Sequence, residues 1–191
     1  LREAVDIANR RQTFVSESIL VGSASDNQAV IIEKSPFRSA VVFPSRDRIL
    51  CANHFQSPAF EKDELNRQNR SDNASVYRFR RLEQDMDSIP VIGYLEAASI
   101  LRDRKGINGR DIGNGNEKAM NQLIAHHSII FEPARRMVWV STPPYQLGSY
   151  ICYDLYKIFN NFADLRQRTG IAVAELEIPP DPFQESPDFS D

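Results

Sequence analysis

The spacing of apolar residues changes several times along this chain, and each change predicts an element. Leu1, Ala4, Val5 and Ala8 recur at helical spacing, so the first ten or so residues read as a short amphipathic helix. From Phe14 to Ser25 the pattern turns β-like, centred on Ile19, Leu20 and Val21. Asp26-Asn27 is a turn pair, and Gln28–Lys34 (QAVIIEK) is expected to return as the second strand of a hairpin. A third apolar segment, Ser39–Phe43, leads through the polar turn Pro44–Asp47 into Arg48-Ile49-Leu50-Cys51-Ala52-Asn53. Consecutive apolar residues there predict a strand covered on both faces.

Residues 61–75 are polar, rich in Asn, Asp, Arg and Ser, and read as an exposed loop. Asp72 or Asn73 then offers a cap for a helix carrying Val76, Phe79, Leu82 and Met86 on one side. Pro90 separates it from a second, shorter helix around Tyr94–Arg102, and a Gly- and Asn-rich stretch, Gly106–Asn116, follows. Strands are expected at Leu123–Phe131 and Arg136–Ser141, joined by the turn Glu132-Pro133-Ala134-Arg135 and closed by Thr142-Pro143-Pro144. Tyr150–Tyr156 reads as an edge or near-edge strand. The Pro- and acid-rich residues 178–191 read as a poorly ordered tail, leaving 1–177 as the folded part. Helix, strands, helices, strands is the order of an α+β domain with antiparallel sheets, not of a βαβ parallel sheet.

At 191 residues and 41% hydrophobic, the chain has enough apolar material for one globular core. A net charge of −3 gives neither the basic stripe that nucleic acid requires nor an acidic solvating tail. No apolar run approaches the ~18–20 residues a membrane-spanning helix needs. Cys51 and Cys152 sit in apolar runs and read as buried thiols; a disulfide between them cannot be decided from spacing. Gly113-Asn114-Gly115-Asn116 lacks both the glycine spacing and the Lys-Ser/Thr of a phosphate loop, and there is no GxSxG elbow. Nothing calls for a cofactor. Three histidines without an accompanying carboxylate or thiol cluster do not make a metal site.

The stretch Cys51-Ala52-Asn53-His54-Phe55 carries the most chemistry. An Asn and a His stand where an apolar run ends, and a side-chain amide such as that of Asn53 can donate to an oxygen that turns negative during attack on a carbonyl. The plainer alternative is that Asn53 and His54 satisfy main-chain groups in a turn. Cys51 beside His54 suggests a thiol–imidazole pair, but on a strand the two would face opposite sides. Ala125-His126-His127-Ser128 is the second candidate: neighbouring histidines on a strand point opposite ways, one inward, so His126 or His127 could contact substrate.

The hairpin Ile19–Ser25/Gln28–Lys34, the "Asn-His-Phe" at 53–55, a helical stretch, and the "Ser-Ile-Ile-Phe-Glu-Pro-Ala-Arg-Arg-Met-Val-Trp-Val-Ser" hairpin at 128–141 followed by "Pro-Pro" come in a telling order. Over roughly residues 1–158 that order resembles the acyl-coenzyme A:6-aminopenicillanic acid acyltransferase family, related to the choloylglycine hydrolases and penicillin V acylases. The resemblance implies a layered N-terminal-nucleophile (Ntn) hydrolase fold, with stacked antiparallel sheets between helices. It also implies a Cys nucleophile freed by autoproteolysis, whose own α-amino group is the base. Asn53 then falls in the oxyanion hole; His54 and His127 are expected as substrate contacts from their residue type and position. Some members carry Arg near His126–Ser128; this sequence has none there.

Because Leu1 is not Cys, Ser or Thr, the resemblance further implies an Ntn domain incomplete at its N-terminus, with the nucleophile and a nearby Asp upstream. On this reading the chain is inactive alone. Its parent would act on a linear C–N amide bond of a small acyl-amide, by hydrolysis or by acyl transfer. Exposed sheet surface would lead it to self-associate or to pair with the upstream segment. The competing readings are a non-catalytic binding or oligomerisation module that keeps the half-fold, and an unrelated α+β domain.

Overall fold

The computed structural model describes residues 1–45, 47–71, 74–160 and 170–189. The chain, expected as one folded part over 1–177, divides into two compact units, Leu1–Glu83 and Gln84–Asp191. Among the described residues the fold is α+β, with five α-helices and two three-stranded antiparallel sheets.

The first unit opens with helix α1 (Arg2–Asn9), followed by strands β1 (Glu17–Ser23), β2 (Gln28–Lys34) and β3 (Ser39–Val42). The order is β1-β2-β3, with Ile19 opposite Ile32, Val21 opposite Val30 and Ile32 opposite Val41. Asn27 turns the first hairpin with φ 48, in the left-handed region that Asn tolerates. β2 is the central strand, and every residue from Val30 to Ser35 is buried. Two of these are charged. Lys34 donates to the main-chain carbonyls of Ala8 and Arg11 at the end of α1. The side chain of its neighbour Glu33 leaves the other face of the strand.

Two expectations for this unit fail. Residues 49–57 form no strand; only an isolated bridge joins Ser45 to Arg48. The run Ile49–Ala52 is half-buried, and the Leu50 carbonyl meets a side chain instead of a ladder: Gln56 Nε2 donates to it at 2.7 Å. Within 61–75, helix α2 (Glu64–Ser71) stands where a loop was expected. Asp63 starts it by accepting the Asn66 N–H at 2.9 Å, as an N-cap residue does. α2 buries only Asn66, so it has no apolar stripe for periodicity to detect. Helix α3 (Ser75–Ser88) follows as expected, although its proposed caps, Asp72 and Asn73, lie outside the described residues.

The second unit holds α4 (Tyr94–Leu101), β4 (Ile129–Glu132), β5 (Met137–Ser141), β6 (Tyr150–Asp154) and α5 (Leu155–Asn160). Its sheet has the order β4-β5-β6, and its core is Ala98, Ile130, Trp139, Tyr150, Cys152 and Ile178. Tyr94 of α4 stacks on Trp139 with ring centres 4.8 Å apart, and Trp139 Nε1 donates to Leu176 O at 2.9 Å. Such an aromatic pair adds about 0.5–1.5 kcal/mol beyond its burial.

β4 begins at Ile129, well after the expected start at Leu123. Leu123 has φ 55, which interrupts an extended run, and its N–H is taken by Asn121 Oδ1 at 2.9 Å. The tail is the larger correction. The described residues after Glu177 are packed: Ile178 is buried and exchanges two main-chain hydrogen bonds with Tyr150. Asp181 pairs with Arg104 at 3.3 Å, and Arg104 lies 3.7 Å over the Phe183 ring. A Pro- and acid-rich composition predicts weak burial, yet Ile178, Phe183 and Phe189 are spaced to anchor successive short turns. The outer edge of β6 is covered in the same way, through pairing with Ala172 and Ile178.

Candidate active site

The segment Asn53-His54-Phe55-Gln56-Ser57 is irregular, and every residue in it is held by a side chain from another part of the first unit. Asn53 is exposed, and its Oδ1 accepts from Arg78 Nη2 at 2.7 Å. A guanidinium only donates, so the atom facing it must be the amide oxygen. The two hydrogens on Nδ2 therefore point elsewhere, and among the described residues they meet no acceptor. This is a donor group oriented from behind.

His54 does the opposite. It is 7% exposed, its Nδ1 lies 2.8 Å from Ser75 Oγ, and its ring meets Phe79 edge-on at 5.6 Å. Burial lowers its pKa below the usual 6.5; the nearby charges of Arg70 and Arg78 add to the shift, and Glu33 opposes part of it. The imidazole is taken up by the start of α3 instead of being presented to solute. Ser75 and Arg78 lie three residues apart on α3, hence on one face, and hold His54 and Asn53 respectively.

Phe55 is fixed through its main chain. Its N–H donates to Asn66 Oδ1 at 2.8 Å, and its carbonyl accepts from Asn66 Nδ2 at 3.1 Å. Phe60 O takes the other Nδ2 hydrogen at 3.2 Å, so both amide hydrogens of the buried Asn66 are used. Glu33 completes the set. Its two oxygens accept from the N–H groups of Gln56 and Ser57, the latter at 2.9 Å.

The cysteines are not arranged as nucleophiles. Neither is in a disulfide, and burial pushes both thiols above their usual range. Cys51 Sγ contacts the carbonyl of Ala52 at 3.8 Å, and the nearby imidazole is engaged by Ser75. The thiol–imidazole pair rejected on strand geometry is thus also absent for a different reason, since neither residue is on a strand.

His126 and His127 belong to the second unit. Both are exposed and lie in the irregular stretch before β4, so the alternation that would have turned one inward does not apply. Ser128 is engaged instead: its N–H donates to Ser141 Oγ at 2.7 Å, and its hydroxyl bonds the buried Tyr150 hydroxyl. Among the described residues no three His, Cys, Asp or Glu side chains gather as a metal site would require. No helix among them is long and apolar enough to cross a membrane.

Sequence reasoning missed Glu33, Asn66, Ser75 and Arg78. Three left a trace: Glu33 is a carboxylate inside an apolar strand, and Ser75 and Arg78 share helical spacing beside the apolar stripe of α3. Asn66, in a segment rich in polar residues, left none.

No curated protein and no solved structure matches this chain. The model of one family, acyl-coenzyme A:6-aminopenicillanic acid acyl-transferase, matches residues 1–144, a stretch that includes the whole 53–57 segment and all four of its anchors. The chain belongs to that acyltransferase family.

Proposed function

We propose that this chain is the oxyanion-stabilising part of an enzyme that cleaves a linear C–N amide bond, or transfers its acyl group, with Asn53 Nδ2 as one donor to the developing oxyanion. The observation that carries this reading is the Arg78–Asn53 bond, which turns the amide NH₂ outward on a segment held at every residue. The nucleophile is a Cys supplied upstream of Leu1. Support for that comes from the two cysteines present, both raised by burial and neither beside an available base.

The chemistry follows from these parts. The thiolate adds to the amide carbonyl, whose oxygen becomes negative and receives the Asn53 N–H. Collapse breaks the C–N bond, the amine leaves with a proton, and a thioester remains. Water converts the thioester to the acid; an amine converts it to a new amide. The burial of His54 favours a holding role over a substrate contact.

The test is Asn53→Ala in the full-length protein, with free coenzyme A thiol measured from an acyl-coenzyme A and 6-aminopenicillanic acid as acceptor: attack on the thioester carbonyl forms the same oxyanion, expels coenzyme A, and the acyl-enzyme passes its acyl group to the acceptor amine. Loss of one oxyanion donor lowers kcat by about 100- to 1000-fold with little change in KM. An Asn53→Ala enzyme with wild-type kcat refutes the assignment, whereas an unsubstituted protein that releases no coenzyme A favours a binding module.

A further inference from the structure

Of the four side chains that hold residues 53–57, Glu33 is chemically the most demanding. It is 0% exposed, and no cation lies within ion-pair distance of it among the described residues. Taking a carboxylate out of water is far costlier than burying a neutral amide of the same shape. What the charge adds is a pair of charge-assisted bonds to two consecutive main-chain N–H groups, stronger and shorter than neutral ones.

The position of Glu33 gives those bonds leverage. Its Cα is paired with Ser18 on one side and Ala40 on the other, in the middle strand of a sheet. The carboxylate carries that rigidity across to Gln56 and Ser57, just beyond Asn53 in the chain. Arg78 fixes the amide group of Asn53, but a side-chain bond alone leaves the backbone beneath it free to shift. Asn66 and Glu33 together remove that freedom on the C-terminal side.

We propose that Glu33 is a positioning residue for Asn53: by clamping the Gln56 and Ser57 amides it fixes the backbone from which the oxyanion donor projects. This rests on the oxyanion reading of Asn53. The clamp acts through geometry and touches no substrate.

The experiment uses the full-length protein carrying Glu33→Gln or Glu33→Asp, each alone and combined with Asn53→Ala. Glu33→Gln keeps the shape but turns an NH₂ toward one of the two N–H groups; Glu33→Asp keeps the charge but falls short by one methylene. Three quantities are read: hydrogen exchange at the Gln56 and Ser57 amides, the Asn53 side-chain amide resonance, and kcat and KM in the coenzyme A release assay. With either variant, exchange at 56 and 57 is expected to rise about 10-fold or more while Val30–Ile32 stay protected. The Asn53 resonance shifts or broadens, and kcat falls about 10-fold with KM within about twofold. In the Asn53→Ala background no further fall in kcat is expected, because the clamp acts through the missing amide.

Unchanged exchange, an unmoved Asn53 resonance, or a kcat loss that persists in the Asn53→Ala background each overturns the proposal. An Asn53→Ala enzyme that is fully active overturns the oxyanion reading itself, and the two failures are told apart by that single variant.

Discussion

Asn66→Asp replaces one buried group by another of nearly the same size, so its effect isolates hydrogen-bond polarity. In the native protein Oδ1 accepts the Phe55 N–H while Nδ2 donates to the carbonyls of Phe55 and Phe60. The substitution keeps the acceptor but sets a carboxylate oxygen against two carbonyl oxygens. Two net hydrogen bonds of about 1 kcal/mol are lost, and leaving the two carbonyls with a repulsive neighbour adds about 1–3 kcal/mol, for a total near ~4 kcal/mol. Asn66→Ala removes all three bonds without the repulsion and should cost about 3 kcal/mol. The assay is urea unfolding followed by far-UV circular dichroism, and the Asp substitution is expected to destabilise more than the Ala substitution at neutral pH. Acid reverses the order. Repulsion raises the folded-state pKa of the introduced carboxyl above its unfolded value of about 3.9, so the folded state holds the proton more tightly. The penalty is then present in full above the raised pKa and fades as pH falls toward about 3.9. An Asn66→Asp protein as stable as wild type at neutral pH, or one whose deficit does not shrink in acid, refutes the role assigned to Nδ2.

Two further outcomes follow from other parts of the structure. A Cβ at Gly148 would lie 2.2 Å from Thr142 Oγ1 and 2.4 Å from Pro143 O, both at the start of the β5–β6 connection. Gly148→Ala must therefore displace main chain, and a loss of about 2–3 kcal/mol is expected in thermal or urea unfolding; a stability within error of wild type would show that this connection yields easily. For His54, the folded-state pKa is depressed mainly by burial, so the unfolded chain binds the proton first as pH drops. His54 thus contributes a stability loss that sets in as pH falls below about 6.5 and is complete below its folded pKa; His54→Gln should flatten the stability–pH curve there, and an unchanged curve counts against burial as the cause.

Where side chains alternate or recur with a fixed period, the sequence is sufficient. The β1–β2 hairpin is legible because Ile19 and Val21 oppose Ile32 and Val30 across a turn that Asn27 accepts with φ 48. Helix α3 is legible from Val76, Phe79, Leu82 and Met86. The failures share one cause: a polar side chain or a few scattered rings take the place of a ladder or an apolar stripe. Ile49–Ala52 is apolar enough for a strand, but Gln56 answers the Leu50 carbonyl. α2 is a helix whose only buried residue is polar, so no buried stripe betrays it. The tail looks disordered by composition because Ile178, Phe183 and Phe189 are too few to register, yet each has a prepared contact. Asn53 itself could be singled out by residue type; its orientation could not, since Arg78 is 25 residues away.

That distinction bears on how a loop can do what a strand end was expected to do. A strand would have fixed Asn53 through a main-chain ladder while burying the residues beside it. An irregular segment has no such ladder, and fixing each of its residues costs about 1–2 kcal/mol of backbone entropy. Here that cost is offset residue by residue: Arg78 at 53, Ser75 at 54, Asn66 at 55, Glu33 at 56 and 57. An oxyanion donor is useful only if held within about 0.5 Å of its productive place. A loop so anchored fixes Asn53 while leaving it exposed, as the oxyanion role proposed above requires; a residue inside a doubly covered strand could not be so exposed. Glu33 and Asn66, both buried, are therefore best understood through the segment they hold, since a buried charge or amide is weak evidence for stability by itself.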